Sequence, residues 1–237
     1  MRADGRMPDE LRPVTMEKGV MLNADGSVCI RWGNTHVLCT AMLEDKAVPF
    51  KVGTGTGWLT AEYAMLPGST PSRKKRDGLK TDGRSVEIRR LIGRALRSVV
   101  DFEALGERTV WIDCDVISAD GGTRTASITG AYVALALAVK KWLAEGILEK
   151  DPLMDSVAAV SCGIIDGEPR LDLAYVEDSR AEVDCNFVMT GKGRLVEVQG
   201  TGEHDTFSRE ELLAMLDLAE KGIMELKALQ QAVIGEE

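Results

Sequence analysis

Two groups of residues in this chain have types and spacing suited to chemistry. The first is Ala119-Asp120-Gly121-Gly122-Thr123-Arg124-Thr125-Ala126-Ser127, a glycine-hinged stretch that opens a long apolar helical pattern. Adjacent glycines let the backbone come close to a ligand, and N–H groups at a helix start attract an anion. An arginine beside them offers a planar fork for two phosphate oxygens. The order GxxxxGK[ST] does not occur here, so this stretch is not a nucleoside-triphosphate P-loop. On these residues alone two readings stand level: a site for a small phosphate-like anion, or an ordinary strand-to-helix turn with an N-cap. The second group is Tyr175-Val176-Glu177-Asp178-Ser179-Arg180-Ala181-Glu182-Val183-Asp184-Cys185-Asn186. Asp178 falls at a strand end or turn, and Asp184 opposes Val183, Cys185 and Phe187 on an alternating strand. Two such carboxylates can converge on a hard cation such as Mg²⁺, or one can serve as a general acid. Acidic residues alternating on a strand also simply face solvent.

The elements that must position these groups follow from hydrophobic periodicity. Ser27–Trp32 and Thr35–Met42 alternate as strands around the turn signal Gly33-Asn34, and Gly53–Gly57 leads into a further strand from Trp58. Residues 67–83 read as a long exposed loop, a length that inside a domain points to function or disorder. A helix over Ser85–Val100 places Ile88, Leu91, Ile92, Ala95, Leu96 and Val99 on one face and Arg90, Arg94 and Arg97 on a solvated opposite face. Extrapolated back one turn, Arg84 falls on the apolar azimuth, where a charge needs a partner. Thr109–Ile117 is a strand ending at the glycine stretch, and Ile128–Leu143 is a helix apolar nearly all round, hence central and buried. Strands over Val157–Ile165, Arg170–Val176, Ala181–Met189 and Arg194–Gln199 follow. A last helix starts at Ser208 with Glu211 completing a capping box and runs to about Val233. The order is α+β, with no linker that would cut residues 1–237 into separate domains.

Composition narrows the classes. With 237 residues, 44% of them hydrophobic, the chain can bury a sizeable core. The polar amino-terminal residues and the lack of any window of about 18 apolar residues argue against a leader or membrane span and for the cytoplasm. Cys29, Cys39, Cys114, Cys162 and Cys185 are scattered without a CxxC pair, as buried thiols would be, and His36 and His204 are isolated, so no His-rich metal site is expected. The net charge of −9 argues against a polyanion partner, but it is unevenly spread. Residues 1–108 carry 18 Lys+Arg against 14 Asp+Glu, while residues 109–237 carry 11 against 24. Residues 73–97 hold ten basic side chains against Asp77, Asp82 and Glu87, a local field of the kind polyanions meet.

Several stretches in register resemble the RNase PH family over essentially the whole chain. They are Arg12-Pro13-Val14, Gly57–Pro67 (GWLTAEYAMLP), Asp82–Arg94 (DGRSVEIRRLIGR), the Ala119–Gly130 stretch, Tyr175–Ser179 and Val196–Thr201. The resemblance implies an α+β fold of duplicated βαβ-like units with mixed sheets and central buried helices. It implies a phosphorolytic 3′-to-5′ exoribonuclease in which inorganic phosphate, the co-substrate, removes 3′ nucleotides from tRNA precursors as nucleoside diphosphates. The reverse addition is also implied, and ribosomal RNA is a further possible substrate. The family's phosphate site falls on Arg84, Gly122, Thr123 and Arg124, and its catalytic carboxylates, which position Mg²⁺ or a proton donor, fall on Asp178 and Asp184. Its tRNA-holding positions fall on Arg73 and Arg76; a third basic position after Leu-Pro is Gly68 here, with Lys74 and Lys75 nearby. Family members assemble as homohexamers, trimers of dimers. The competing readings are a ring subunit of an archaeal-type exosome, a non-catalytic RNA-binding protein using residues 73–97, and a hydrolytic two-metal nuclease. Phosphate-dependent release of nucleoside diphosphate separates all but an active exosome-type subunit from the first reading.

Overall fold

Alternation of apolar and polar residues builds two sheets. In the computed structural model, which describes residues 2–76, 82–203 and 206–235, the first sheet has the order β1-β2-β3-β5-β4. Its strands are β1 (Val14–Lys18), β2 (Gly26–Trp32), β3 (Thr35–Glu44), β4 (Trp58–Met65) and, after helices α1 (Gly83–Arg97) and α2 (Phe102–Leu105), β5 (Thr109–Ser118). The pairs are antiparallel except β4 with β5, which are parallel and joined through α1, a βαβ crossover. Helix α3 (Thr123–Ala144) follows. The second sheet, order β7-β6-β8-β9, is antiparallel throughout: β6 (Val157–Ile165), β7 (Glu168–Leu171), then α4 (Tyr175–Asp178), β8 (Val183–Thr190) and β9 (Leu195–Gly202). Helix α5 (Arg209–Gly235) packs on β6, β7 and α3.

Helix α3 lies between the sheets, touching β2 and β3 on one side and β6 on the other, which is why it is apolar nearly all round. The approach to β2 is close enough to demand glycine: a Cβ on Gly26 would lie 2.0 Å from the Ala134 carbonyl oxygen. One apolar cluster runs from Val28 and Ile30 through Ile128 and Leu135 to Val160 and Leu226, so it draws on both sheets and on α3 and α5. All five cysteines are buried free thiols. Lys80, Asp77 and His204 lie outside the described residues.

The structure departs from the sequence expectations in four places. Helix α3 begins at Thr123, not Ile128, so the glycines themselves are its hinge. The stretch 170–176 is not one strand: β7 stops at Leu171, Asp172 turns the chain at φ 55°, and Tyr175–Asp178 form a helical turn. Burying the long-range ion pairs of Asp172 and Glu177 imposes that break, and no local pattern records them. Arg84 does not join the apolar stripe of α1 but is exposed in its first turn. Arg97 is not on a solvated face; its guanidinium sits 4.8 Å over the Trp58 ring and donates to the Leu59 carbonyl. Arg90 and Arg94 are exposed, Arg94 paired with Glu197.

Candidate active site

The glycine stretch ends β5 and turns directly into α3. Gly121 and Gly122 have φ of 75° and 68°, the left-handed region that side chains other than glycine rarely adopt. A Cβ on Gly121 would also lie 2.6 Å from the Leu173 carbonyl oxygen and 2.8 Å from the Tyr175 nitrogen, so the turn is pressed against the start of α4. No side chain caps α3; its first intrahelical bond runs from the Ala126 N–H to the Gly122 carbonyl. The amides of Thr123, Arg124 and Thr125 therefore have no partner inside the helix. The first turn contains no acidic residue. An uncapped helix start with an arginine in its first turn favours an anion over the ordinary N-cap.

Behind this turn lies a buried ionic brace. Arg12 donates to both carboxylate oxygens of Asp172, at 2.6 and 3.0 Å at its shortest, and to the main-chain carbonyl of Asp120 at 2.5 Å. Trp32 Nε1 donates to the same Asp172 carboxylate, and Arg6 reaches it at 3.1 Å. Thr35 accepts from the Asp120 N–H and donates to the Gly121 carbonyl at 2.6 Å. Arg2 pairs with Glu177 at 2.6 Å, and Glu177 accepts from the Ala174 N–H, holding α4 in place. The carbonyls of the glycine turn are thus tied back, leaving its amide side toward the cavity.

In front of the turn is a cavity of about 850 Å³. It gathers Arg84, Gly122, Thr123, Arg124, Asp178 and Asp184, six positions spread over 100 residues of chain, together with Ser69, Lys74, Ser161, Tyr175 and Asn186. Arg84 comes from the first turn of α1, whose N-cap is Asp82. Arg124 is aimed by Gln199 of β9, which accepts from it at 2.9 Å while its own amide nitrogen donates to Glu87 and Glu197. Those two carboxylates fix which end of the Gln199 amide faces the arginine. Asp178 closes α4, and Asp184 stands on β8 between Gly163 and Thr201 of the flanking strands.

The electrostatics of the two carboxylates differ from those of solvated ones. Burial raises the Asp178 pKa, against the pull of Arg84, Arg124 and Arg12. Burial and then the charge of Asp178 push Asp184 up to about 6, with Arg124 and Arg84 opposing. The Oδ1 of Asp184 is buried without a hydrogen-bond partner among the described residues. Two mutually repelling carboxylates with an orphaned oxygen fit a divalent cation or a shared proton. Among the described residues no group of three or more His, Cys, Asp or Glu could hold a metal, so a cation here would take its remaining ligands from water and substrate oxygens.

Arg73 and Arg76 do not line this cavity. Both are exposed on the segment that follows Pro67, while Lys74, between them, lines it. Arg76 borders a neighbouring hollow with Lys74, Lys75 and Asp115. A Cβ on Gly68 would meet nothing within 4 Å, so the rim is open there. Reading periodicity and charge did not single out Ser69 or Asn186; the only signal for Arg12 was its place in the family-like stretches.

Comparisons with known proteins agree with this geometry. Residues 10–141 match the 3′ exoribonuclease family, domain 1, and residues 155–222 match its domain 2. The ribonuclease PH of Bacillus pumilus is 59% identical, the alignment covering 100% of this chain and 99% of the relative. That of Cereibacter sphaeroides is 58% identical over 99% and 100%. Among solved structures, rice Rrp46 superposes with a TM-score of 0.81 at 19% identity, covering 98% of this chain and 100% of that one. A chain of the Archaeoglobus fulgidus exosome with RNA bound to the active site gives 0.80 at 22%, covering 96% and 91%. Identity this high over the full length, on a fold shared with exosome proteins, makes the chain a member of the RNase PH family of 3′ exoribonucleases.

Proposed function

We propose that the protein is a phosphate-dependent exoribonuclease that shortens tRNA precursors from the 3′ end, with Arg84, Gly122, Thr123 and Arg124 holding inorganic phosphate and Asp178 and Asp184 serving the cleavage. The observation that carries this reading is one cavity lined by an uncapped helix start, two arginines and two carboxylates of raised pKa. A hydrolytic nuclease would have no use for the anion cradle.

Phosphorolysis brings a phosphate dianion against a phosphodiester, and the two arginines with the α3 amides offset that repulsion and align the nucleophile. A phosphate oxygen bonds to the terminal phosphorus, and the bond from phosphorus to the 3′-oxygen of the preceding residue breaks. The nucleoside diphosphate leaves, and the 3′-oxygen takes a proton equivalent to the one the attacking phosphate gives up. Without a cation, the carboxyl placed to pass that proton on is Asp184, whose pKa is pushed up to about 6; with a cation bound, both carboxylates act as ionised ligands instead. Mg²⁺, held by Asp178 and Asp184, would neutralise charge building on the leaving oxygen. Arg73 and Arg76 lie outside the cavity on the exposed segment, suited to the RNA body rather than its reacting end.

Residues 1–237 are one folding unit in this reading, supported by the shared apolar cluster, although the family matches divide at 141–155. The unit works in the cytoplasm as a homohexamer; among the described residues no helix is long and apolar enough to cross a membrane. The decisive experiment incubates protein, Mg²⁺ and a tRNA precursor carrying a 3′ trailer, with and without inorganic phosphate. Nucleoside diphosphate released only with phosphate is the expected result. Nucleoside monophosphate, or a rate indifferent to phosphate, refutes the reading.

A further inference from the structure

One buried hydroxyl pair sits at the anion end of the cavity. Tyr63 belongs to β4, where Leu59, Ala61 and Tyr63 point inward and Glu62 and Ala64 outward. The ring is only 4% exposed, and a phenylalanine would fill the same apolar slot. The phenol oxygen lies instead 2.9 Å from Oγ1 of Thr123, to which it donates. The ladder explains the meeting. Tyr63 is paired in parallel register with Cys114 of β5, and β5 runs on into the glycine turn and α3. Burial raises the phenol's pKa, while the Thr123 hydrogen bond and the nearby charges of Arg84 and Arg124 lower it.

A threonine hydroxyl has one proton and two lone pairs. The Tyr63 phenol occupies one lone pair, and among the described residues the Thr123 proton has no acceptor, while Thr123 itself lines the cavity. We infer that Tyr63 is a positioning residue for the attacking anion: by engaging Thr123 from behind, it turns the Thr123 proton into the cavity, where a phosphate oxygen accepts it. A donor held ready in this way is not reoriented when the anion arrives, which is the advantage of a preorganised site. The inference rests on the phosphorolytic reading.

The test is a double-mutant cycle between Tyr63→Phe and Thr123→Val, with Thr123→Ser as the variant that restores the hydroxyl. For Tyr63→Phe the KM for phosphate should rise about three- to tenfold, the scale of one hydrogen bond, with the KM for RNA unchanged and the thermal midpoint lowered by no more than the loss of that one bond. In the Thr123→Val background the same substitution should have no further effect on phosphate. Thr123→Ser should keep a near-normal KM for phosphate whatever the behaviour of Tyr63→Phe in folding. The inference is overturned if Tyr63→Phe leaves the phosphate KM alone or raises both KM values together. It is equally overturned if the effect persists in Thr123→Val, or if Ser and Val behave alike at 123. Nucleoside diphosphate release that needs phosphate in the unmodified protein alongside any of these outcomes refutes this inference alone; release indifferent to phosphate refutes both readings.

Discussion

Asp172 accepts hydrogen bonds from Arg12 and Trp32 and pairs with Arg6 while being 1% exposed. Burial pushes its pKa up, but the charge and hydrogen bonds of Arg12, with Arg6 behind them, outweigh that and hold it below the usual carboxylate range. A carboxylate whose folded pKa is depressed adds stability above its unfolded pKa of about 3.9 and loses it as pH falls through the folded value. Asp172→Asn leaves the Arg12 guanidinium buried without its counter-charge, a loss of about 3–5 kcal/mol. Calorimetry should show a clearly lowered midpoint for this variant at pH 7, the gap narrowing below about pH 4. A gap constant with pH would mean the pair is not the source. The brace also ties the glycine turn, so the variant's KM for phosphate should rise along with its instability.

At the scale of elements, the informative contrast is between α3 and the segment carrying Arg73 and Arg76. The apolar run and adjacent glycines made α3 legible in the sequence, though its start was displaced by five residues. Thr123–Ser127 lack the apolar stripe because Thr123 and Arg124 line the cavity, while the buried Thr125 and Ser127 turn their hydroxyls to the helix's own Gly122 and Thr123 carbonyls. Helix α4 was legible only as a strand end or turn at Asp178: the partner that holds it, Arg2 on Glu177, is 175 residues away. For the segment after Pro67, sequence gave charge and exposure, and the structure adds an open rim at Gly68. Arg73→Ala with Arg76→Ala should weaken tRNA binding and make its logarithmic salt dependence shallower by roughly one to two units. Gly68→Arg, with free space for the side chain, should do the reverse, tightening binding and steepening the slope by about one. Slopes that do not move in filter-binding titrations would assign these cations to solvent.

For the whole molecule, a net charge of −9 coexists with RNA as substrate because the basic residues gather in the first half. A ring of copies would add these local fields together. On the outer face of sheet one the cross-strand partners Met42 and Trp111 are 44% and 37% exposed. Light scattering should give a mass six times 25.7 kDa for the hexamer, and a monomer mass at micromolar concentration would count against it. A last consequence concerns time. Arg12 reaches Asp120 and Asp172 across 108 and 160 residues, and Arg2 reaches Glu177 across 175. Synthesis runs from the amino end, so both arginines and the glycine turn leave the ribosome before the carboxylates that stand opposite them. Until Asp172 and Glu177 emerge, Arg12 and Arg2 lack their carboxylate partners and the glycine turn lacks its brace. The cavity that joins Arg84 and Arg124 to Asp178 and Asp184 is completed only once β8 has emerged and joined the second sheet.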